Sequence, residues 1–447
     1  MDATPYMTGN YAPVDVELTT MKLEVAGEIP RELRGRYLRI GPNPIGAVDL
    51  AHHHWFVGDG MVHGVCLRDG QALWYRNRWV RSASNIELLG ETAEGRTLAG
   101  ANNTHVIGLA GRTLAIVESG APPVELGYEL DTVGVNNFFG THPAMGFSAH
   151  PKVDPVTGDL HAMCYSWPAW RDAVKYVHVG RDGRLKQTRD VALPHMTMIH
   201  DMSLTEHYAL IFDLSVTVDM ALAEAGMSFP FAWNEAHEAR VGLLPRDGGE
   251  TVWAPVNPCF VFHPMNAYED ADGRVVVDVC RYERMFLKDH NGPFRDSRAT
   301  LDRWTIDPKT RRVAETRIDD RAQDFPRCDP ALNSRPYRYG YSLSVEGDGF
   351  PAILKYDHAT GASSSRELGP GRHGSEPYFV PRDGATSEDD GYLMIFVYDG
   401  ARNASSFVIL HARDITLPAV AEVRLPARVP YGFHGSWIPD GAEGPSV

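Results

Sequence analysis

YLMIFVYD (392–399) is followed, after a short turn, by SSFVILHARD (405–414), and both runs are rich in apolar residues over fewer than a dozen positions. That length is typical of buried strands and short for a helix. Similar runs recur along the whole chain, at 112–119, 159–166, 207–214, 274–280 and 351–357. Several follow turn-forming sequences such as DPVTGDL (154–160) and ADGRV (271–275), which favour tight hairpins. The sequence therefore predicts an all-β protein.

Periodicity does not select the kind of all-β fold. Many short strands at such intervals are typical of a sandwich, a barrel or a propeller. No crisp sequence repeat of the kind that marks many propellers is visible. Segments with helical periodicity are nearly absent, and the exception is VDMALAEAGMSFPFAW (218–233), whose first half is predicted to be helical up to the Gly and Pro.

Bulk composition excludes several classes of function. The net charge of −15 argues against a nucleic-acid partner, because phosphate binding needs a basic surface, and it offers no polybasic attraction to anionic lipid. The five cysteines are scattered without a CxxC pair, which predicts free buried thiols in a reducing cytosol. We see no signal-peptide pattern and no run of about 18 apolar residues, so we expect a cytoplasmic protein without a membrane span.

Four histidines at wide, irregular intervals are candidate metal ligands: His150, His200, His263 and His434. Neutral imidazole is the commonest protein ligand for borderline transition metals. Four imidazoles carry no charge, which suits iron(II) better than a structural zinc, since zinc usually recruits thiolates. However, the gaps of 50, 63 and 171 residues match no local metal motif. Each histidine taken alone is more often a hydrogen-bonded core or surface residue, so spacing leaves both interpretations open.

The sequences around these histidines resemble the carotenoid cleavage oxygenase family, the non-haem iron enzymes that split carbon–carbon double bonds with dioxygen. The histidine segments are FSAHPKVDP, MTMIHDMSLTEHY, CFVFHPMNAYED and YGFHGSWIP. GRYLRIGPNP (35–44) and HHWFVGDGMVHG (53–64) are similar to the family's opening signatures. Further matches follow in the family's order: NNTHV (102–106), AIVESG (115–120), RPYRYGYS (335–342), GSEPYFVPR (374–382) and LHARDI (410–415).

The resemblance implies a seven-bladed β-propeller with a cap of loops and short helices over the metal face, as one domain over residues 1–447. In a propeller the innermost strands converge on the axis, so residues far apart in sequence meet around one ion. The resemblance also implies one Fe(II) per subunit, held by the four histidines, and no organic cofactor. Thr104, in NNTHV, matches the family residue near the vacant coordination position. It is the candidate catalytic residue, and an ordinary strand threonine is the alternative.

The family places three glutamates behind the ligand histidines, where a carboxylate fixes the tautomer of each ring. Glu118 in AIVESG and Glu376 in GSEPYFVPR match two of these positions. The third departs, because QDFPR (323–327) has Asp324 where the family usually has glutamate. Asp is one methylene shorter, so we expect either a closer strand or a bridging water.

The implied activity is cleavage of a C=C bond in a hydrophobic substrate with O2, giving two carbonyl products, as in a dioxygenase. Some members of the family resemble one another in cleaving phenolic aryl-alkenes of the stilbene or isoeugenol type. These members share a lysine just before the first supporting glutamate. Val117 stands there in this chain, which favours an apocarotenoid-like polyene. An isomerohydrolase-like enzyme, using the ion as a Lewis acid on an ester, and a non-catalytic propeller are the further alternatives.

An apolar, aromatic substrate tunnel is expected, because a polyene has few polar groups to recognise. Segment 218–233 is either an apolar rim for transient contact with a membrane surface, which would make the protein peripheral, or a buried cap helix. The sequence does not indicate the oligomeric state. Candidate tunnel residues close to the ligand segments are Phe56, Phe147, Trp167, Phe262, Tyr339 and Phe433.

Overall fold

The two apolar runs on either side of the turn near residue 400 form neighbouring antiparallel strands, Gly391–Asp399 and Ala404–His411. Tyr392 pairs with His411 in these strands. The other apolar runs are strands as well, so the all-β prediction is confirmed. The computed structural model describes residues 5–138, 146–167, 169 and 172–441. Seven antiparallel sheets are arranged around one axis as the blades of a β-propeller, as predicted.

The blades are numbered in chain order, and the first four use strands from the first 255 residues together with the C-terminal strand of blade 1. Blade 1 contains Thr19–Thr20, Gly35–Pro42, Gly60–Arg68, Gln71–Trp79 and Gly435–Pro439. Blade 2 contains His105–Leu109, Arg112–Ile116, Val124–Leu126 and Thr132–Val135. Blade 3 contains Lys152–Val153, Leu160–Cys164, Ala173–Val179 and Leu185–Ala192. Blade 4 contains Met202–Leu204, Tyr208–Asp213, Arg240–Pro245 and Val252–Pro255.

The remaining three blades complete the ring. Blade 5 contains Phe260–Glu269, Val275–Tyr282, Thr300–Asp307 and Arg312–Asp319. Blade 6 contains Gln323–Arg327, Tyr339–Ser344, Ala352–Asp357 and Ala362–Glu367. Blade 7 contains Arg372–Gly374, Tyr378–Pro381, Gly391–Asp399, Ala404–His411, Ala421–Arg424 and, from the N-terminal region, Glu24–Gly27.

Both end regions of the chain close the ring. Gly35–Pro42 pairs with Gly435–Pro439 in blade 1, and Glu24–Gly27 pairs with Ala421–Arg424 in blade 7. The backbones cross closely at Gly41 and Gly432, where a Cβ on Gly41 would lie 2.5 Å from the Cα of Gly432. Only glycine permits this approach. The domain prediction over 1–447 includes positions outside the described ranges and stays a prediction.

Short helices and one hairpin lie outside the blades. The hairpin Val216–Val218 and Phe231–Trp233 encloses the helix Met220–Glu224, whose start is capped by the Asp219 carboxylate. The helix ends before Gly226, as the sequence predicts, and none of its residues is buried. The buried-cap-helix alternative for this segment is therefore wrong for the helix itself. The 3-10 helices are Pro5–Met7, Gly9–Tyr11 and Pro330–Leu332.

Buried side chains pack between neighbouring blades rather than in one central core, which is typical of a propeller. All five cysteines are buried and free. Among the described residues, no helix is long and apolar enough to cross a membrane.

Candidate metal centre

The four candidate ligand histidines converge at the propeller axis. His150, His200 and His434 each stand one or two positions before the inner strand of blades 3, 4 and 1, and His263 lies within the inner strand of blade 5. All four side chains are buried, and one ring nitrogen from each lies within 4.8 Å of the others. The closed ring of strands thus brings together residues up to 284 positions apart in sequence.

The facing nitrogen atoms have the spacing of ligands on one ion. Nε2 of His200 lies 3.1 Å from Nε2 of His150 and 3.3 Å from Nε2 of His263. Two nitrogens at right angles around an ion, each about 2.1 Å from it, are about 3.0 Å apart. In His200 and His263 the other nitrogen, Nδ1, faces a carboxylate, so a neutral ring directs the lone pair of Nε2 inward. Such converging lone pairs require a cation between them.

Protonation of the rings is consistent with a site for a cation. Burial, followed by the neighbouring imidazoles, lowers the pKa of His150 well below its usual value. Burial also lowers the pKa of His434 well below its usual value, although Glu376 opposes this. For His200, burial is outweighed by the Glu118 carboxylate, which raises the pKa.

Three carboxylates stand directly behind three of the rings. Glu118 contacts Nδ1 of His200, Asp324 lies 2.8 Å from Nδ1 of His263, and Glu376 lies 3.0 Å from Nδ1 of His434. All three side chains are buried or nearly so. Asp324 therefore makes its contact directly, without the bridging water that the sequence left open.

Each carboxylate has a further partner that the sequence did not indicate. The Tyr165 hydroxyl donates to Glu118, and the Tyr282 hydroxyl donates to Asp324 at 2.7 Å. Arg327 binds Glu376 through two nitrogens, at 2.7 and 2.8 Å. These partners lie 42 to 49 positions from the carboxylates in sequence and belong to no local motif.

Charge around the centre matches a divalent ion. Burial alone would raise the pKa of Glu376, but Arg327 and His434 hold it well below its usual range, so it is ionised. Glu118 and Asp324 are two further carboxylates behind the rings, so acidic groups outnumber the single guanidinium of Arg327. A cation held between the four imidazoles offsets this excess of acidic groups. The donor set therefore fits a divalent transition metal.

His150 is the exception, because none of the carboxylates that the structure describes is within hydrogen-bonding distance of its Nδ1. Asp201 is the nearest, with Oδ2 at 3.6 Å. The Asp201 carboxylate instead pairs with the Lys152 ammonium at 2.8 Å. Sequence reasoning missed this pair, although Asp201 directly follows the ligand His200.

An aromatic cavity reaches the centre from one side. His200, His263, His434 and Thr104 are among its lining residues. Four of the predicted tunnel residues line it: Phe56, Trp167, Phe262 and Phe433. Phe229 and Phe231 also line it, and they belong to the segment 218–233 that the sequence predicts to be an apolar rim or a cap helix. Aromatic lining residues that the sequence did not indicate are Trp55, Tyr165, Phe294 and Phe325.

The structure places the other two predicted tunnel residues elsewhere. Phe147 is fully buried in a separate core cluster, with its ring 5.3 Å from that of Phe138. Tyr339 begins a blade 6 strand, with the Lys355 ammonium 4.5 Å from its ring centre. Neither is among the lining residues of the aromatic cavity in the described part of the chain. Closeness in sequence to a ligand does not fix the direction of a side chain.

Most polar side chains in the cavity wall donate to protein atoms. The Thr104 hydroxyl donates to Oδ1 of Asn103 at 2.8 Å. The Asn103 amide donates to the carbonyl oxygens of Phe56 and Gly58, each at 3.0 Å. The Ser228 hydroxyl donates to a backbone oxygen at 2.6 Å. The cavity therefore presents mainly apolar surface to a ligand.

Comparisons with known proteins identify the family to which the chain belongs. A family model described as retinal pigment epithelial membrane protein matches residues 11–439. The chain belongs to this family, which includes the carotenoid cleavage oxygenases. It is therefore an oxygenase enzyme, as predicted.

Individual relatives match along nearly their whole length. The carotenoid cleavage oxygenase of Mycobacterium tuberculosis is 42% identical, with 97% of each chain covered. Resveratrol cleavage oxygenase 1 of Aspergillus fumigatus is 31% identical, with 97% of this chain and 95% of that protein covered. Crystal structures of Synechocystis apocarotenoid oxygenase, including the cobalt-substituted protein, have a TM-score of 0.87 at 29% identity, covering 96% of this chain and 98% of that one.

Proposed function

We propose that this protein cleaves a C=C bond of an apocarotenoid-like polyene with O2, giving two carbonyl products, at an iron(II) held by His150, His200, His263 and His434. The observation that carries the proposal is the convergence of four imidazoles on one point at the end of an aromatic cavity. A neutral ligand set leaves the full charge of the ion available, and four nitrogens leave coordination positions open.

Iron(II), when bound, supplies the electron that allows dioxygen to react with an alkene. The chain contributes the geometry. Glu118, Asp324 and Glu376 hold the Nδ1 protons of three rings, which fixes the tautomer in which Nε2 faces the ion. Thr104 lies in the cavity wall with its hydroxyl proton committed to Asn103. We assign Thr104 the role of restricting space beside the ion rather than of donating a proton.

Two features favour a polyene over a phenolic aryl-alkene. Val117 lines the cavity at the position where the phenol-cleaving members of the family have a lysine. The polar side chains Asn103, Thr104, Tyr165 and Ser228 already donate to protein acceptors, so these donated protons are not available to a phenolate oxygen. The cavity wall thus favours an apolar substrate, because burial of apolar surface stabilises the complex by about 25 cal/mol per Å².

Exposed apolar residues near the cavity support delivery of the substrate from a membrane surface to the cavity. Val57 lines the cavity and is 37% exposed, and Met220, in the helix beside Phe229, is 40% exposed. We assign these residues to a rim that contacts lipid transiently, with the protein otherwise in the cytoplasm. The hydrophobic substrate would enter the cavity there.

The direct test is aerobic incubation of the iron-loaded protein with apocarotenals and, in parallel, with resveratrol, using 18O2 and mass spectrometry of the products. Paired carbonyl fragments of the apocarotenal containing label support the proposal. Cleavage of resveratrol alone would move the protein to the stilbene-cleaving branch. Turnover without oxygen, and without label, would indicate the isomerohydrolase-like chemistry. Failure to retain iron at one per chain would indicate a non-catalytic propeller.

A further inference from the structure

A second cavity reaches the four-histidine centre from the other side. We call it the axial cavity, and we propose that hydrated divalent cations enter and leave the centre through it, whereas substrate uses the aromatic cavity. This inference rests on the proposed metal centre but not on the reaction performed there. Some residues line the axial cavity but not the aromatic cavity, and they include His150, Asp201 and Glu376. Two ligand histidines, His263 and His434, line both cavities. The histidine cluster thus forms the wall between them.

The two cavities differ in chemistry. The axial cavity is lined by charged and amide side chains, including Lys152, Asp201, Arg327, Glu376 and Asn333. The aromatic cavity is lined mostly by phenylalanine, tryptophan and tyrosine rings. Moving an ion from water into apolar surroundings is prohibitively costly unless other polar groups replace its water. Carboxylate, amide and imidazole groups along the axial cavity provide that replacement as far as the histidines.

Two ion pairs in the axial cavity each join a part-exposed cationic side chain to a buried carboxylate. Lys152 is 19% exposed and its ammonium lies 2.8 Å from Oδ1 of Asp201, whose side chain is 2% exposed. Arg327 is 25% exposed and binds Glu376, whose side chain is 4% exposed. Both carboxylates are therefore paired with cations at the solvent side.

Lys152 is the residue that regulates entry. Its flexible ammonium is a point charge, 2.8 and 3.1 Å from the two carboxylate oxygens of Asp201. The planar Arg327 guanidinium donates one hydrogen bond to Glu376 and places a second nitrogen 2.7 Å from the other carboxylate oxygen. While Lys152 is paired, its positive charge repels an incoming cation. Removing that charge leaves Asp201 to attract cations along the cavity, and this attraction is screened by salt.

The test measures metal uptake without turnover. The metal-free protein is mixed with Co2+ alone in a stopped-flow instrument, and binding is followed by the visible absorption of the Co2+ complex. Lys152→Met is expected to bind Co2+ about tenfold faster than the parent at low salt, with the advantage shrinking as salt is added. Asn333→Trp, which places a large ring in the part-exposed outer wall, is expected to slow uptake about tenfold.

Val57→Trp is the matched control, because it narrows the aromatic cavity at an exposed position. It is expected to leave Co2+ uptake unchanged. If Val57→Trp slows uptake and Asn333→Trp does not, the ion enters through the aromatic cavity and the proposal is wrong. Equal uptake rates in all variants also overturn it, since opening of the fold would then limit entry. Circular dichroism confirms that each variant is folded, and these rates hold whether or not any polyene is cleaved.

Discussion

Asp324 accepts a hydrogen bond from Nδ1 of His263 at 2.8 Å, although its side chain is one methylene shorter than that of Glu118 or Glu376. The backbone is irregular directly after this residue. The strand register is interrupted between Asp324 and Arg327, and Phe325 has a φ of 56°, in the left-handed region that bulky residues rarely adopt. The Phe325 amide donates to the same carboxylate oxygen at 2.7 Å. Backbone strain at this point accompanies the placement of the carboxylate.

Asp324→Asn is expected to weaken metal retention by about 10–100-fold, because an amide no longer supplies the charge that fixes the His263 tautomer. The dissociation constant for Co2+, measured by competition with a chelator, checks this. Asp272→Asn, at a 73% exposed carboxylate, serves as the control and is expected to bind as the parent does. Unchanged retention in Asp324→Asn would mean that the carboxylate is not needed to orient the ring.

Tyr165→Phe removes the hydroxyl that donates to Glu118 and keeps the ring that lines the cavity. A hydrogen bond to a charged group contributes about 1.5–3 kcal/mol, so we expect metal retention to fall by about tenfold or more. Chelator-driven loss of Co2+ gives the measurement. Tyr398→Phe is the comparison, because the Tyr398 hydroxyl, in blade 7, donates to the neutral amide of Asn403 at 3.4 Å. Equal rates of loss would show that Glu118 is held without Tyr165.

Local sequence pattern predicts the strands, whereas the propeller and the site residues came from the family resemblance. Local apolar runs and turns are enough to predict strands, since hairpins such as that joining 391–399 to 404–411 are short-range. The sequence spacing of the histidines could not identify the metal ligands, because the closed ring of blades, and not a local motif, brings His150 close to His434. The resemblance supplied the ligands and carboxylates. It did not supply Tyr165 or Arg327, whose roles depend on side-chain direction across neighbouring blades.

His200→Ala and His434→Ala are each expected to abolish turnover while leaving the propeller folded, because the blades pack on one another and not on the ion. Far-ultraviolet circular dichroism should match the parent, and the metal-free Tm should change by less than about 5 °C. His207→Ala, at a 61% exposed ring, is expected to retain full activity and metal. Turnover that survives in either ligand variant would be fatal to the ligand assignment.

Asp159 provides a prediction about stability and pH. Burial would raise the pKa of its carboxyl, but Lys186, His178 and the backbone of Arg181 lower it to about 2. A depressed folded-state pKa means that the stabilisation is present above the unfolded value of about 3.9 and is lost as the pH falls toward 2. Because Lys186 is half exposed, the contribution is about 1 kcal/mol at pH 7. Urea unfolding should show Asp159→Asn less stable than the parent at pH 7, with the difference shrinking as the pH falls from about 4 toward 2.

Val117→Lys tests what selects the substrate. Val117 lines the aromatic cavity next to Glu118, so a lysine there would place an ammonium group within reach of a phenol. It would also place an unpaired charge in an apolar wall, which a polyene cannot offset. We expect kcat/KM for an apocarotenal to fall by at least about tenfold, and cleavage of resveratrol to appear or rise. Val117→Leu, which keeps the wall apolar, should retain the parent's preference. If Val117→Lys still prefers the polyene and ignores resveratrol, position 117 does not control selectivity, and the polar bonding of Asn103 and Thr104 becomes the better explanation.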